Sequence, residues 1–320
     1  MRAMAITDDH ELELVEVPEP VPSEGEVLID VVAAGVNRAD LMQVAGKYPP
    51  PPGASPLPGL EVSGYRRDTG EAVVALLAGG GYAEVVAVPE AQVLPAPRAL
   101  PLTDAAGVIE VAATVVSNLM LEADLPVDPP STEQQTVLVH GGTGGIGSFS
   151  LQFTRGMGAR VLTTVGSDAA VDSAVELGAD MAWNRHTTDV PAAVKDAGGA
   201  DVILDIVGGP ALEDNVGMLN EFGRLVIIAT MGGSVGSLDV GALMRKRARV
   251  IGTTVRSRAP QDKGRILART RELVWPLLET GEIRVPVEAR LPLAEAARGH
   301  KILADGGHLG KVILEVADPR

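Results

Sequence analysis

Val137-Leu138-Val139-His140-Gly141-Gly142-Thr143-Gly144-Gly145-Ile146-Gly147 decides the fold of the chain's second half. A short apolar β run breaks into a glycine cluster, and that cluster opens a helical pattern over 148–157. Gly142, Gly144 and Gly147 fall on G-x-G-x-x-G, with Thr143, Gly145 and Ile146 between them. In a strand–turn–helix setting the first glycine permits the tight turn and the second lets backbone approach a pyrophosphate. The third lets the helix pack closely on the strand. The helix N-terminus adds free N–H groups and a positive dipole end. The motif alone would carry little weight among 37 glycines. The apolar strand before it, the helix after it and a second β run over 160–165 make it a dinucleotide site.

From residue 136 onward apolar runs alternate with helical patterns. The runs lie at 136–140, 160–165, 201–207, 223–229 and 249–254, and the helical patterns near 148–157, 168–177, 188–197, 210–220 and 239–246. Such alternation implies a parallel sheet wrapped by helices. A helix over 261–280, a strand over 283–289, a helix over 293–304 and a last strand over 311–316 complete the chain. Residues 1 to about 100 read instead as short strands at 12–17, 26–34, 72–77 and 82–88, an all-β pattern. Residues 104–121 read as helical. Tyr48 precedes four consecutive prolines, Pro49 to Pro52, which can form neither helix interior nor central strand and make a stiff loop.

Length and composition bound the class. A chain of 320 residues suggests about two domains. No apolar run of the ~20 residues needed to span a bilayer is evident, and no charged-then-apolar leader, so a soluble, cytoplasmic protein is the expectation. The net charge of −15 speaks against nucleic acid or anionic membrane as partner. Zero cysteines removes disulfides, a thiolate nucleophile and a Cys-ligated zinc. The five histidines (His10, His140, His186, His300, His308) show no ligand spacing, so no metal site is expected. No Gly-x-Ser-x-Gly elbow supports acyl transfer.

The end of the second strand bears on the cofactor. An NAD-binding sheet places an acid there for the ribose 2′-hydroxyl. Here the strand ends Val165-Gly166-Ser167, which leaves room for a 2′-phosphate, and NADPH is expected. Arg185, after the third strand region, is a candidate to meet that phosphate. Asp168 is read as a first-turn helix acid that complements the dipole.

Several blocks together resemble the zinc-independent quinone oxidoreductases of the medium-chain dehydrogenase/reductase superfamily, in the pattern of the p53-inducible branch. They are Gly35-Val36-Asn37-Arg38-Ala39-Asp40-Leu41, the stretch from Gly46 to Ala54, Pro58 to Gly64, Ala75 to Glu84, the glycine loop, Ile203 to Gly209, Met231-Gly232-Gly233 and Leu309-Gly310-Lys311-Val312. The resemblance implies an α/β protein with a GroES-like β-barrel-type catalytic domain from residues 1–120 and 261–320. A Rossmann doubly wound parallel-sheet domain would occupy 121–260, NADPH would lie in the cleft, and chains would pair as a homodimer. Carried over by position, Asn37 and Tyr48 would lie near the nicotinamide. Gly208, Gly209, Met231 and Gly232 would line the cofactor, with Thr254, Arg256 and Lys311 near it, and they would join the glycine loop and the Gly166, Ser167 and Arg185 read from the end of the second strand.

Three positions depart from the family pattern. Ala170 replaces the usual lysine after the phosphate-contacting serine, Arg185 stands where a tyrosine is common, and the stretch from Gly64 to Glu71 lacks a β segment and its turn. The Gly-His-Glu of zinc-dependent relatives reads Gly59-Leu60-Glu61, and Glu61 is expected to make a structural hydrogen bond. His140 is read as structural. The chemistry implied is hydride transfer from NADPH to a quinone or related α,β-unsaturated carbonyl, with Tyr48 or Asn37 as catalytic hydrogen-bond donor. The alternatives are an enoyl or alkenal double-bond reductase and a non-catalytic NADPH-binding sensor.

Overall fold

A computed structural model describes residues 1–319. The chain opens with β1 (Arg2–Ile6), β2 (Leu12–Glu16), β3 (Glu26–Val36), α1 (Arg38–Val44), β4 (Glu61–Arg66), β5 (Ala72–Leu76), β6 (Val85–Pro89) and β7 (Val93–Pro95). It continues through α2 (Leu102–Ala105), α3 (Ile109–Val116), β8 (Thr136–His140), α4 (Gly145–Gly156), β9 (Arg160–Val165), α5 (Asp168–Glu176) and β10 (Met181–Asn184). Then follow α6 (Val190–Asp196), β11 (Ala200–Asp205), α7 (Leu212–Met218), β12 (Leu219–Ile227), α8 (Val240–Lys246) and β13 (Arg249–Gly252). The chain ends with α9 (Pro260–Thr280), β14 (Val287–Pro292), α10 (Ala296–Asp305) and β15 (Lys311–Glu315).

Two compact units result, one from residues 1–113 and 255–320, the other from 114–254. Both breaks fall a few residues earlier than the expected 120/121 and 260/261, so Arg256 belongs to the first unit.

The first unit is built on a seven-stranded sheet in the order β14-β15-β3-β4-β5-β7, with β6 also on β3. Its longest strand, β3, pairs antiparallel with β4 and β6, and a register shift between Val31 and Ala33 bends it between them. The C-terminal strand β15 returns to pair antiparallel with β3, Val312 facing Val36. That register sets Lys311 beside the start of α1. Alternating residues of these strands (Ile29, Val31, Val62, Val73, Ala75, Val312 and Leu314) pack into one core with Met4 and Tyr82. β4 and β5 form a tight hairpin in which Arg66 N–H and Glu71 O bond at 2.9 Å, which is the local consequence of the short 64–71 stretch.

The second unit is a six-stranded all-parallel sheet in the order β10-β9-β8-β11-β12-β13. In sequence order that is 3-2-1-4-5-6, the doubly wound arrangement, with its switch point between β8 and β11. Leu138, Leu162, Ile203 and Leu225, one from each of four strands, share one core cluster.

Expectation and structure differ in places. The sequence pattern does not reveal β1, β4 or β7, and the strand expected over 283–289 begins at Val287. One stretch, Leu102–Glu122, is apolar enough and, at 21 residues, long enough to cross a membrane, contrary to the expectation that none is. Its most apolar window is 83 % buried inside the protein, as in a core helix.

The tight turn of the glycine loop is made by Gly141, with φ +80°, not by Gly142. Gly147 packs closest: a Cβ there would lie 2.0 Å from the Gly141 carbonyl oxygen. Gly147→Ala should therefore push α4 off β8 and lower stability by about 1–3 kcal/mol, the usual cost of overpacking. Urea unfolding checks this, and an unchanged midpoint would refute the tight contact.

Candidate functional site

In the second unit the strand β8 ends under two converging backbone donors. The N–H groups of Gly141 and Gly142 both bond to the Thr164 carbonyl, at 2.9 and 3.1 Å. A Cβ on Gly142 would meet Thr163 Oγ1 at 2.4 Å, so this position is glycine because the neighbouring strand leaves no room. Gly144 is the N-cap of α4 and offers no side chain. The first-turn N–H groups over Gly145, Ile146 and Gly147 are thus left to an external acceptor.

At the end of β9, Gly166 and Ser167 are exposed. The Arg185 guanidinium crosses over Gly166: a Cβ there would lie 3.1 Å from its Nη1. Ser167 caps α5 by accepting the Ala170 N–H at 3.3 Å, and the Asp168 carboxylate accepts the Asn184 amide at 2.7 Å. Arg185, Gly166 and Ser167 are therefore together.

The loops after β11 and β12 are zipped to each other. Asp205, fully buried, accepts the N–H groups of Val207 and Gly208 at 2.7 and 3.0 Å. Met231 and Gly232 donate back to the Ile206 and Val207 carbonyls, and Gly209 bonds to the Gly233 carbonyl at 2.9 Å. Gly208 has φ +87°, and a Cβ there would approach Gly233 O to 2.7 Å. Met231 is left exposed, as is Thr254 after β13. His140 is buried between Thr164 Oγ1 at 2.9 Å and Asn215 Oδ1 at 2.8 Å, a structural role. Burial holds its pKa below the ordinary imidazole value.

The first unit holds a buried polar cluster around the start of α1. Asn37 and Asp40 form a capping box. The Asn37 amide donates to Glu61 Oε1 at 2.9 Å and leans on the Gly35 carbonyl at 3.4 Å, while its Oδ1 accepts from Lys311 Nζ at 2.5 Å. Lys311 also pairs with Glu61 Oε1 at 2.7 Å, with side-chain exposures of 3 % and 0 %. Glu61 Oε2 accepts the backbone N–H of Glu110 at 3.0 Å. Glu61 thus holds an ion pair beyond the expected hydrogen bond. Asn37 has both amide protons engaged, which corrects its candidacy as an oxyanion donor: it positions others. The Lys311 ammonium is likewise committed inside this cluster.

Asp40 accepts the Asn37 N–H at 2.8 Å, the Gly59 N–H at 3.2 Å and the Tyr82 hydroxyl at 3.0 Å. Burial nonetheless raises its pKa to about 6. The Tyr82 oxygen lies 3.1 Å from His300 Nε2, and burial lowers His300 to about 4.

Tyr48 is half-buried beside Arg256, whose guanidinium carbon sits 5.1 Å from the ring centre. Burial raises the phenol pKa, with Arg256 lowering it and Glu110 raising it further. Arg256 donates to Ala78 O at 2.8 Å, Tyr48 O at 3.0 Å and Gln43 Oε1 at 2.5 Å. Sequence reasoning missed Gln43, Asp40, Tyr82 and His300. The Asn-x-x-Asp spacing signals only the cap, and the remaining contacts join residues far apart in the chain.

Two family models match, the alcohol dehydrogenase GroES-like domain over residues 23–98 and the zinc-binding dehydrogenase over residues 145–270. The quinone oxidoreductase of Lama guanicoe is 28 % identical over 315 residues, covering 93 % of this chain and 91 % of that protein. The solved quinone oxidoreductase from Thermus thermophilus, described also in complex with NADPH, is 32 % identical with a TM-score of 0.82, covering 99 % of this chain and 100 % of that one. The Escherichia coli quinone oxidoreductase complexed with NADPH is 25 % identical with a TM-score of 0.83, covering 98 % and 99 %. The chain belongs to the quinone oxidoreductase family of the medium-chain dehydrogenase/reductase superfamily. The GroES-like and Rossmann descriptions of its two units follow from that membership.

In this quinone oxidoreductase fold the buried Lys311–Glu61 pair is a costly contact to break. Lys311→Met leaves a buried carboxylate without its cation and should cost about 3–5 kcal/mol. Adding Glu61→Gln removes the charge and keeps one acceptor oxygen, for either the Asn37 amide or the Glu110 N–H, and should recover part of that loss. Equal stability of the single and double variants in urea unfolding would refute the charge argument.

Proposed function

We propose that this family member is an NADPH-dependent, metal-free reductase of quinones or related α,β-unsaturated carbonyls, working in the cytoplasm as a homodimer. The observation that carries the cofactor choice is the end of β9. Val165, Gly166 and Ser167 carry no acid, and the Arg185 guanidinium lies against Gly166. That arrangement suits a 2′-phosphate, because Arg pairs with phosphate oxygens through parallel N–H donors. The uncapped first turn of α4 suits the pyrophosphate. The NADPH named for the Thermus and Escherichia relatives agrees with this reading.

The donor set does not suit the zinc for which one matching family model is named. Leu60 stands in the histidine position, and the oxygens of Glu61 and Asn37 converge on the Lys311 ammonium, already a cation. No group of three His, Asp or Glu side chains that could hold a metal lies among the described residues. The electrostatic help a metal would give must then come from protein donors.

The nicotinamide, when bound, supplies the hydride. The protein's task is to orient the acceptor and stabilise the oxygen on which charge develops. Tyr48 is the donor of choice, because no protein group takes its hydroxyl among the described residues and Arg256 lies along its ring. Asn37 and Lys311 act behind it by fixing the start of α1. Chain pairing is assigned to the free edges of the parallel sheet, β10 or β13, each with one sheet neighbour.

Arg185→Ala should weaken NADPH at least tenfold and leave NADH within twofold, measured by calorimetric titration; equal losses for both cofactors would remove Arg185 from the phosphate. Tyr48→Phe should lower turnover by roughly 10- to 1000-fold with NADPH affinity held, the range for losing one oxyanion donor. A turnover within twofold of wild type would make Tyr48 a packing residue.

A further inference from the structure

Lys263 lies in the first turn of the 21-residue helix α9 and is only 3 % exposed. Arg256, 7 % exposed, precedes that helix. Two buried cations in one segment call for carboxylates, since an unpaired buried charge is costly. Neither forms an ion pair among the described residues. Arg256 spends three of its donors on neutral oxygens, the Ala78 and Tyr48 carbonyls and the Gln43 side chain. A guanidinium carries five N–H donors, so two remain.

Four acids lie around the pair: Asp40 acts on Arg256 through space but is bonded to Asn37, Gly59 and Tyr82, and Glu110, which acts on Tyr48, makes an interaction of its own. Glu90, in the turn against which α9 packs, is bonded to Arg66 at 2.8 Å. Asp262 pairs with Arg265 on α9 itself at 3.5 Å. Burial and the Arg256 charge hold Lys263 down to about 8, so the ammonium keeps its proton near neutrality without a counter-ion. The helix N-terminus adds positive potential at the same end.

We propose that Arg256 and Lys263 form an anion-binding centre, and that the natural acceptor carries a carboxylate which this centre holds while its carbonyl faces Tyr48. This rests on the reductase reading above and narrows its substrate class to acidic enones or quinones. A fixed carboxylate supplies the missing counter-charge as soon as the acceptor binds. The contact between Arg256 and the Tyr48 ring links the anion centre to the proposed oxyanion donor.

The test compares 4-oxo-2-pentenoate with its methyl ester as acceptors for the full chain with NADPH. In the wild type, kcat/KM should favour the acid, and Lys263→Met should cut the acid-to-ester ratio at least tenfold. Lys263→Arg should restore that ratio. An unchanged ratio in Lys263→Met would overturn the proposal, and so would an unchanged ratio accompanied by weaker NADPH binding, which would give the charge to the cofactor.

A second arm needs no turnover. Calorimetry of the saturated acid 4-oxopentanoate at pH 8, in two buffers of different ionisation enthalpy, should show proton uptake, because an anion raises the lysine pKa. Uptake should vanish in Lys263→Arg although binding persists. Failure to bind, or binding without uptake in the wild type, would sink the anion centre. If neither acceptor were reduced while uptake was seen, the anion centre would stand and the reductase reading would fall.

Discussion

The Lys311–Glu61 ion pair is the contact on which the first unit's architecture depends. Lys311 begins the last strand, Glu61 begins β4, and both meet Asn37 at the junction of β3 and α1. Glu61 reaches further, to the Glu110 N–H at the start of α3. One buried charge pair therefore ties four segments, two of them 250 residues apart in sequence. Space around it is as constrained as charge: a Cβ on Gly35 would lie 2.3 Å from Glu61 Oε1. The glycine at 35 and the carboxylate at 61 are one requirement seen from two positions. A buried pair of this kind adds less net stability than its Coulomb energy suggests, because both ions lose water. Its effect is to specify: any other register of β15 on β3 would strand a charge.

The second unit is held by sterics instead. The β8–α4 turn works because Gly141 takes a positive φ, Gly142 clears Thr163 and Gly147 clears Gly141. Such requirements are local in sequence, which is why the dinucleotide loop and the alternating strands and helices around it can be read directly from the residues. The helix at 145–156 and the strand at 160–165 lie where the pattern puts them to within a few residues. The first unit is legible only in class. β4 escapes notice because Val62-Ser63-Gly64 breaks the apolar alternation, yet the strand is buried on both sides of its run. Its polar cluster is legible only through resemblance, since Asn37, Glu61 and Lys311 share no local pattern. Lys263 is invisible as a site residue because a lysine in a helical pattern reads as surface until burial is known.

The groups behind α1 also set how the protein responds to acid. Asp40 titrates near 6 when folded and near 3.8 in its ordinary state. Its ionised form therefore opposes folding above pH 6, and that opposition is removed as the pH falls from 6 towards 4. His300 runs the other way. It titrates near 4 when folded against an ordinary 6.5, so the stability of its neutral form is present above pH 6.5 and is lost as pH falls through 4. The two contributions oppose each other across the same window, and the Tyr82 hydroxyl bonds to both groups. A buried acid and a buried base arranged this way largely cancel each other's contribution to the pH dependence of stability between 4 and 6.5.

Charge accounting then separates the two ends of the first unit. Around Asn37 every buried cation has its anion: Lys311 has Glu61, and Asp40 is answered by three hydrogen-bond donors. Around Arg256 the pairing is looser: its three hydrogen bonds go to neutral oxygens, the Asp40 carboxylate acts on it only through space, and Lys263 has no ion pair among the described residues. A region that is electrically complete serves to hold shape, whereas one that lacks a counter-charge is poised to take one from a ligand. Gln43 joins the two regions, since its amide donates to the Pro56 carbonyl at 2.8 Å while its oxygen accepts from Arg256. The closed cluster thus fixes α1, α1 carries Gln43, and Gln43 orients the guanidinium. The guanidinium is thereby held in a set geometry that needs no further ordering.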